Sequence, residues 1–504
     1  MRSDTAFPEI TAEEAAEMVE HGDLVGFSGF TAAGSAKAVP RAMADRAKTK
    51  HGAGEPFRIS IVTGASTNDH LDEALAQANA IGWRAPYQSS KTLRKKINTQ
   101  ETSFLDIHLS HLPQMLDYGF LGRVDVAVVE ATDVTADGRI YLSTSVGVTP
   151  NVLASARKII VEINDAHSPR LWEMHDIARL PRPPHRNPIP IHDPMTKIGT
   201  PFCVVDPRKI VGIVRTNESD GVPPFSPPDE GSRAIAGHVV RFLLDEVRSG
   251  NVPEEFLPLQ AGVGNVSNAV MGALGADPDV PKFEMYTEVL QDAQIEIMRS
   301  GKLLGASTSA MTLSDELMGV VFDNMDFFGQ RIVLRPQELS NNPGVVRRLG
   351  VIAINTVLEF DIYGCANSTH VCGTQLMNGI GGSGDFVRNS YLSILMAPSI
   401  AKGGKVSTVV PMASHVDHNE HSVQVVVTEQ GLADLRGLGP IERANKIIDH
   451  CAHPTYRDYL HRYIEEAPLG HIRHDLGKAF DLHRAFMETG DMRQAIGGSV
   501  GARP

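Results

Sequence analysis

The chain is expected to fold as two related open α/β domains with mostly parallel sheets. Three observations point there. Short, β-branched apolar runs recur along all 504 residues. Helical segments separate them, and a proline-rich break divides two halves of similar rhythm. A strand covered on both faces needs no alternation of polar and apolar residues, which is how these runs read. Hydrophobic residues make up 42% and charged residues 21%, so the chain can bury a large core without staples.

The first half opens with "TAEEAAEMVEHG" (11–22), where Thr11 and Glu14 form a capping box and Gly22 is the expected stop. Strands are expected in 23–30, 58–66, 124–132, 158–164 and 209–217. The segment 181–195 is too rich in proline for a helix or central strand and reads as a surface excursion. "NESDGVPPFSPPDEG" (217–231) reads as a boundary, giving domains 1–220 and 221–504. A helix over 232–250 opens the second half. Strands should follow in 258–264, 282–290, 331–336, 351–361, 405–411 and 422–430. The last stretch, rich in His and Arg, reads as a helical cap on the second domain.

The formal charge of −13 argues against nucleic acid or an anionic membrane as partner. No apolar run is long enough to span a bilayer, and "MRSDTAFPEI" does not read as a signal peptide, so a cytoplasmic location is expected. Cys365 and Cys372 flank His370 without completing a zinc pattern, so no metal is expected; the cysteines read as buried, reduced thiols.

"NGIGGSGDF" (378–386) contains G-x-G-x-x-G at Gly379, Gly381 and Gly384. A dinucleotide fingerprint follows a strand and precedes an acidic residue about 20 positions on. Here the preceding segment is a poor strand, and no Asp or Glu follows Asp385 until Asp417. The glycines then suit either a tight turn or a nest of backbone donors for an anion. "AGVGNVSNAV" (261–270) leads into a helix, whose N-terminal amides also suit an anion. In "AKGGK" (401–405), Lys402 and Lys405 flank two glycines beside a strand. Glu288 in "MYTEVLQDA" and Glu429 in "VVVTEQGLADL" stand at strand ends, where ligands meet parallel sheets. Either is a functional carboxylate or an ordinary ion pair. "HVDH" (415–418) reads as a solvated loop, and no G-x-S-x-G marks a serine hydrolase.

Taken in order, "SGFTAAG", "VTGAST", "VRTN", "GVGNVSNAV", "YTEVLQD", "SNNPGVVRRLG", "NGIGGSGDF", "AKGGK", "HVDH" and "VTEQGLADLRGL" resemble the acetyl-CoA hydrolase/transferase family of class I CoA-transferases. The likeness spans nearly the whole chain and is strongest toward succinyl-CoA:acetate CoA-transferases. It implies an active site at the interface of the two domains, a homodimer, and coenzyme A as substrate with no permanently bound cofactor. It implies Glu288 as nucleophile, with the N–H groups of Val263 and Gly382 as oxyanion donors. Asn341 and Glu429 would shape the site around the reacting carboxylate. Gly262, Val263, Gly264, Asn265, Val266, Asn378, Gly382 and Lys402 would contact CoA. Acetyl-CoA hydrolysis and propionyl-CoA:succinate transfer use the same nucleophile and stay open beside it. A non-catalytic CoA sensor would not need Glu288. Arg215 in "VRTN" is either a carboxylate holder or a structural ion pair.

Overall fold

The computed structural model describes residues 6–223 and 227–496. The chain divides into two compact units that are not continuous in sequence. The first comprises residues 1–225, 284–349 and 378–385, and the second the remaining segments. Part of the 217–231 break lies outside the described residues; the rest has no helix or strand before Glu230.

The first unit holds a nine-stranded sheet. Its parallel strands run in the order Ser103–Phe104, Ile81–Ala85, Ile59–Val62, Leu24–Phe27, Val126–Val134, Lys158–Asn164 and Ile210–Thr216. Arg139–Leu142 and Cys203–Val204 add antiparallel to the far end of Val126–Val134. The central strands read as unbroken apolar runs because helices cover them: Val39, Met43, Ala44 and Ala47 of helix Ala38–Gly52 pack onto Val25, Phe27, Ile59, Ile61, Val126 and Val128. That helix begins without a side-chain cap of its own. The buried Glu162 carboxylate does the work instead, accepting from the N–H groups of Ala38 and Val39 at 3.0 and 3.1 Å. A negative charge there meets both the unpaired donors and the positive end of the helix dipole.

Beside it Lys37 is fully buried, its ammonium bonded to Glu130 and, at 3.1 Å, to Asp220. His167 Nε2 lies 3.2 Å from Glu130. Glu130, His167 and Asp220 together have the look of a metal donor set. The Lys37 ammonium already stands among the two carboxylates and supplies the cation they need.

The same unit contains the neighbouring strands Ile332–Leu334, Leu303–Thr308 and Phe283–Tyr286, the last from Glu284 onward. Val289–Leu290 pairs parallel with Ala310–Met311. The 181–195 excursion has no helix or strand, as its prolines require. It is nevertheless fixed: Arg335, fully buried, donates to the carbonyls of Pro194 and Thr196 at 2.9 and 2.6 Å and pairs with Asp176.

In the second unit Leu259–Ala261, Ile352–Thr356, Leu392–Met396 and Val425–Thr428 run parallel, and Gly431–Asp434 returns antiparallel. Helix Glu230–Arg248 starts two residues before the expected 232, because Asp229 accepts from Ser232 N–H at 2.7 Å and so caps it. The C-terminal region is helical as expected, with Pro440–Cys451, Pro454–Glu466 and Asp481–Thr489. Among the described residues no helix is long and apolar enough to cross a membrane.

Several local expectations change. The capping box at Thr11 and Glu14 is present, but helix Ala12–Glu17 ends at Met18; Gly22, with φ of 91°, turns the chain beyond it. Cys203 and Cys451 are buried, whereas Cys365 and Cys372 are partly exposed in the turns around a short hairpin. His418 of the 415–418 loop is buried, not solvated. Asp417 organises that loop by accepting from the N–H of Ser368 at 2.7 Å.

Candidate active site

Glu288 stands between Phe283–Tyr286 and Val289–Leu290, two residues past the end of the first strand. Its main chain is pinned: its carbonyl accepts from Thr308 Oγ1 and from Ser309 N–H, both at 2.8 Å. The side chain therefore leaves a fixed backbone, as a positioned nucleophile requires.

Two other expected residues of the first unit meet it. Asn341 Nδ2 donates to Glu288 Oε1 at 3.0 Å. The Gly382 backbone lies against the Glu288 carboxylate, and its N–H favours the charged form. A Cβ built on Gly382 would overlap both that carboxylate and the Asn341 amide, so glycine is required by close approach. The other loop glycines are packed for similar reasons: a Cβ on Gly379 would press on Asp106 and the Pro86 carbonyl, and one on Gly384 on the His108 ring. The loop is held by the Ile380 N–H, which donates to Asp106 at 2.8 Å.

Burial dominates the electrostatics. Removal from water pushes the Glu288 carboxyl up to about 7; the bond from Asn341 opposes the rise, and the nearby charge of Asp385 adds to it. Asp385 is itself pushed up to about 7, again chiefly by burial, against bonds from Ser110 and Asn341. Tyr87, beside the glycine loop, is raised to about 12 by burial and by the charges of Glu288 and Asp106.

Asn341 ends the short helix Gln337–Ser340, whose placement is over-determined. Gln337 donates through its side chain to Leu109 O at 2.8 Å and through its N–H to Gly147 O at 3.0 Å. Tyr286 hydroxyl donates to Leu339 O at 2.5 Å. Asn378 donates to the neighbouring Gly379 carbonyl at 2.8 Å. Arg215 pairs with Glu9 at 2.8 Å, which favours the structural of its two readings.

The other expected residues belong to the second unit. Gly262, Val263 and Gly264 connect strand Leu259–Ala261 to helix Asn265–Ala276, which starts at Asn265 and Val266. Gly264 takes φ of 126°, and the helix has no side-chain cap, leaving its first amides suited to an anion. Val263 is 47% exposed. Lys402 is exposed in the turn of the hairpin Ile400–Ala401 and Val406–Ser407, its ammonium 4.6 Å from the Phe486 ring. Glu429 begins the turn between Val425–Thr428 and Gly431–Asp434. Its carboxylate accepts from the N–H and hydroxyl of Ser399.

The family is decided by comparison with known proteins. Residues 1–215 match the acetyl-CoA hydrolase/transferase N-terminal domain, and residues 319–464 match the C-terminal domain of the same name. The chain belongs to the acetyl-CoA hydrolase/transferase family. It is 56% identical to propanoyl-CoA:succinate CoA transferase of Escherichia coli K12, over 97% of this chain and 99% of that one. It shares 45% identity with succinyl-CoA:acetate CoA-transferase of Clostridium kluyveri, covering 96% of this chain and 90% of that protein. With acetyl-CoA hydrolase of Schizosaccharomyces pombe it shares 43%, covering 94% of each. Among solved structures, a 4-hydroxybutyrate CoA-transferase of Porphyromonas gingivalis matches with a TM-score of 0.62 at 21% identity, covering 91% of this chain and 97% of that one; it shows a common fold. This member of the acetyl-CoA hydrolase/transferase family is thus an enzyme whose relatives are CoA-transferases and acetyl-CoA hydrolases.

Sequence reasoning missed Asp385 and Ser110. Asp385 was in view only as the end of the glycine loop, and Ser110 lies 275 positions from it. No local pattern links residues so far apart.

Proposed function

We propose that this enzyme moves CoA between an acyl-CoA and a small carboxylate, with Glu288 as the nucleophile. The observation that carries the proposal is the Glu288 carboxylate itself: fixed at the backbone, largely shielded from water, bonded by Asn341 and faced by the Gly382 N–H. A carboxylate is a weak nucleophile in water, and desolvation with alignment is what makes it effective against a thioester. Glu288 attacks the acyl-CoA carbonyl and the CoA thiolate leaves, giving an acyl-glutamyl anhydride. The thiolate then attacks the glutamyl carbonyl and expels the free acid as its carboxylate. The enzyme is left as a glutamyl-CoA thioester, which a second carboxylate opens by the reverse steps. Each addition places negative charge on an oxygen, and one backbone donor such as Gly382 contributes about 3–4 kcal/mol to stabilising it. Residues 262–266, Asn378 and Lys402 are proposed as contacts for CoA.

Succinate or its CoA ester figures in both transferase names among the relatives. We take it as one partner and a short monocarboxylate as the other. Acetate is the first reading; the 56% identity to a propanoyl-CoA enzyme favours propionate as a second. Intact-mass measurement after mixing with succinyl-CoA should show an addition of CoA less one water, mapped to Glu288. Thioester and free thiol are then followed together while acetate or propionate is varied. Conserved thioester supports transfer. Thiol released at the same rate with and without acceptor would make the enzyme a hydrolase.

A further inference from the structure

We infer that Asp385 is a positioning residue for the nucleophile: it orients the Asn341 amide so that this amide presents its N–H to Glu288. The inference rests on Glu288 as nucleophile, as proposed above. Asp385 is buried with 2% exposure, and its carboxylate accepts from Ser110 N–H at 3.0 Å and from Ser110 Oγ at 2.6 Å. The Asn341 side chain lies beside it and holds its carboxyl down against burial. Asn341 is fully buried. On its other side, Ser340 Oγ donates to Asn341 Oδ1 at 2.7 Å, in line with a contact of 3.0 Å between Ser309 and Ser340.

An asparagine amide has two hydrogens on nitrogen and an oxygen that only accepts. Here one N–H meets the Glu288 carboxylate, Asp385 lies beside the amide, and the oxygen faces a hydroxyl. A rotated amide would turn its oxygen toward both acids and its NH₂ toward the serine, so the carboxylates select one orientation. Without Asp385, only Glu288 would favour it, and Glu288 is the group that must change during the reaction. Asp385 keeps the donor in place when the Glu288 oxygen becomes part of an anhydride or thioester and accepts more weakly. Ser110 follows Leu109, whose carbonyl anchors the helix that ends in Asn341. One segment therefore locates both the orienting acid and the oriented amide.

Burial near a second acid also makes Asp385 relevant to the protonation of Glu288. The groups facing Glu288 are Asn341, the Gly382 N–H, Asp385 and Tyr87; those facing Asp385 are Ser110, Asn341 and Glu288.

The test compares Asp385→Asn, Ser110→Ala, Ser340→Ala and Glu288→Gln in the full chain. Asp385→Asn can still accept from Ser110 N–H but loses one carboxylate oxygen and the charge. Its kcat should fall about 10–100-fold, the cost of a misplaced reacting group, with KM for succinyl-CoA within about twofold. The acid limb of its kcat/KM profile should move to lower pH, because a neighbouring negative charge is gone. Ser110→Ala and Ser340→Ala should lower kcat less, in the same direction, and they decide the matter should Asp385→Asn not fold. Wild-type kcat and an unmoved acid limb in the folded variants would overturn the inference while Glu288→Gln stays inactive. Adduct formation and turnover by Glu288→Gln would instead remove the nucleophile on which it rests.

Discussion

A carboxyl group withdrawn from water holds its proton more tightly, and Glu288, pushed up to about 7, must lose that proton to act as the proposed nucleophile. The active form is the one present above that value. The kcat/KM for acyl-CoA should therefore rise with pH through about 7 and flatten above it. A flat profile from pH ~5 to ~8 would mean that the free enzyme holds Glu288 ionised throughout that range. At Gly382 the geometry is stricter, since any Cβ collides with the Glu288 carboxylate and the Asn341 amide together. Gly382→Val should lower kcat/KM by at least about 100-fold with the fold retained. Near-normal turnover in a folded variant would reduce the glycine loop to a turn. Both residues were singled out from the sequence, Glu288 from its place at an apolar strand end and Gly382 from a resemblance carried by nearby motifs, and the fold brings them together. Their supports were not singled out. Asp385, Ser110 and Ser340 act through contacts that only the fold brings about.

The elements that read most plainly were the central parallel strands, whose apolar runs reflect cover on both faces. Leu303–Thr308 escaped notice because "LLGAST" is rich in small and hydroxylated residues, although the strand is largely buried. Its Ser307 hydroxyl accepts from Arg335 Nε at 2.7 Å, a polar duty that hides the strand in an apolarity profile. Ile81–Ala85 was hidden likewise by Arg84, which is fully buried against Asp72. The proline-rich excursion was correctly excluded from helix and strand, but its rigidity comes from Arg335, far along the chain. Arg335→Met should leave Asp176 buried without its cation, costing about 3–5 kcal/mol, and should free the 181–195 segment. Limited proteolysis and thermal unfolding test this: unchanged melting and no new cleavage in that segment would show the arginine to be dispensable.

At the scale of the whole molecule, the break near 220 is visible in composition, but membership of the compact units is not. Residues 284–349 and 378–385 count with the first unit although they lie well beyond the break. Nothing in a linear apolar pattern records such a return. A fragment of residues 1–220 should therefore expose apolar surface that those segments contact, and should aggregate or bind a hydrophobic dye where the full chain does not. A monomeric, cooperatively melting fragment would show that the returning segments are not needed for stability. The same interleaving sets an order of events during synthesis. Glu288 leaves the ribosome first, Asn341 follows, and Gly382 emerges roughly 90 residues after the glutamate, a delay of about 5–20 s at ordinary translation speeds. Throughout that interval Glu288 lacks the N–H donor of Gly382, and the acid that orients Asn341 has yet to be made. If Glu288 is the nucleophile, as proposed, it is built before the groups that would activate it, and an unfinished chain would not trap CoA.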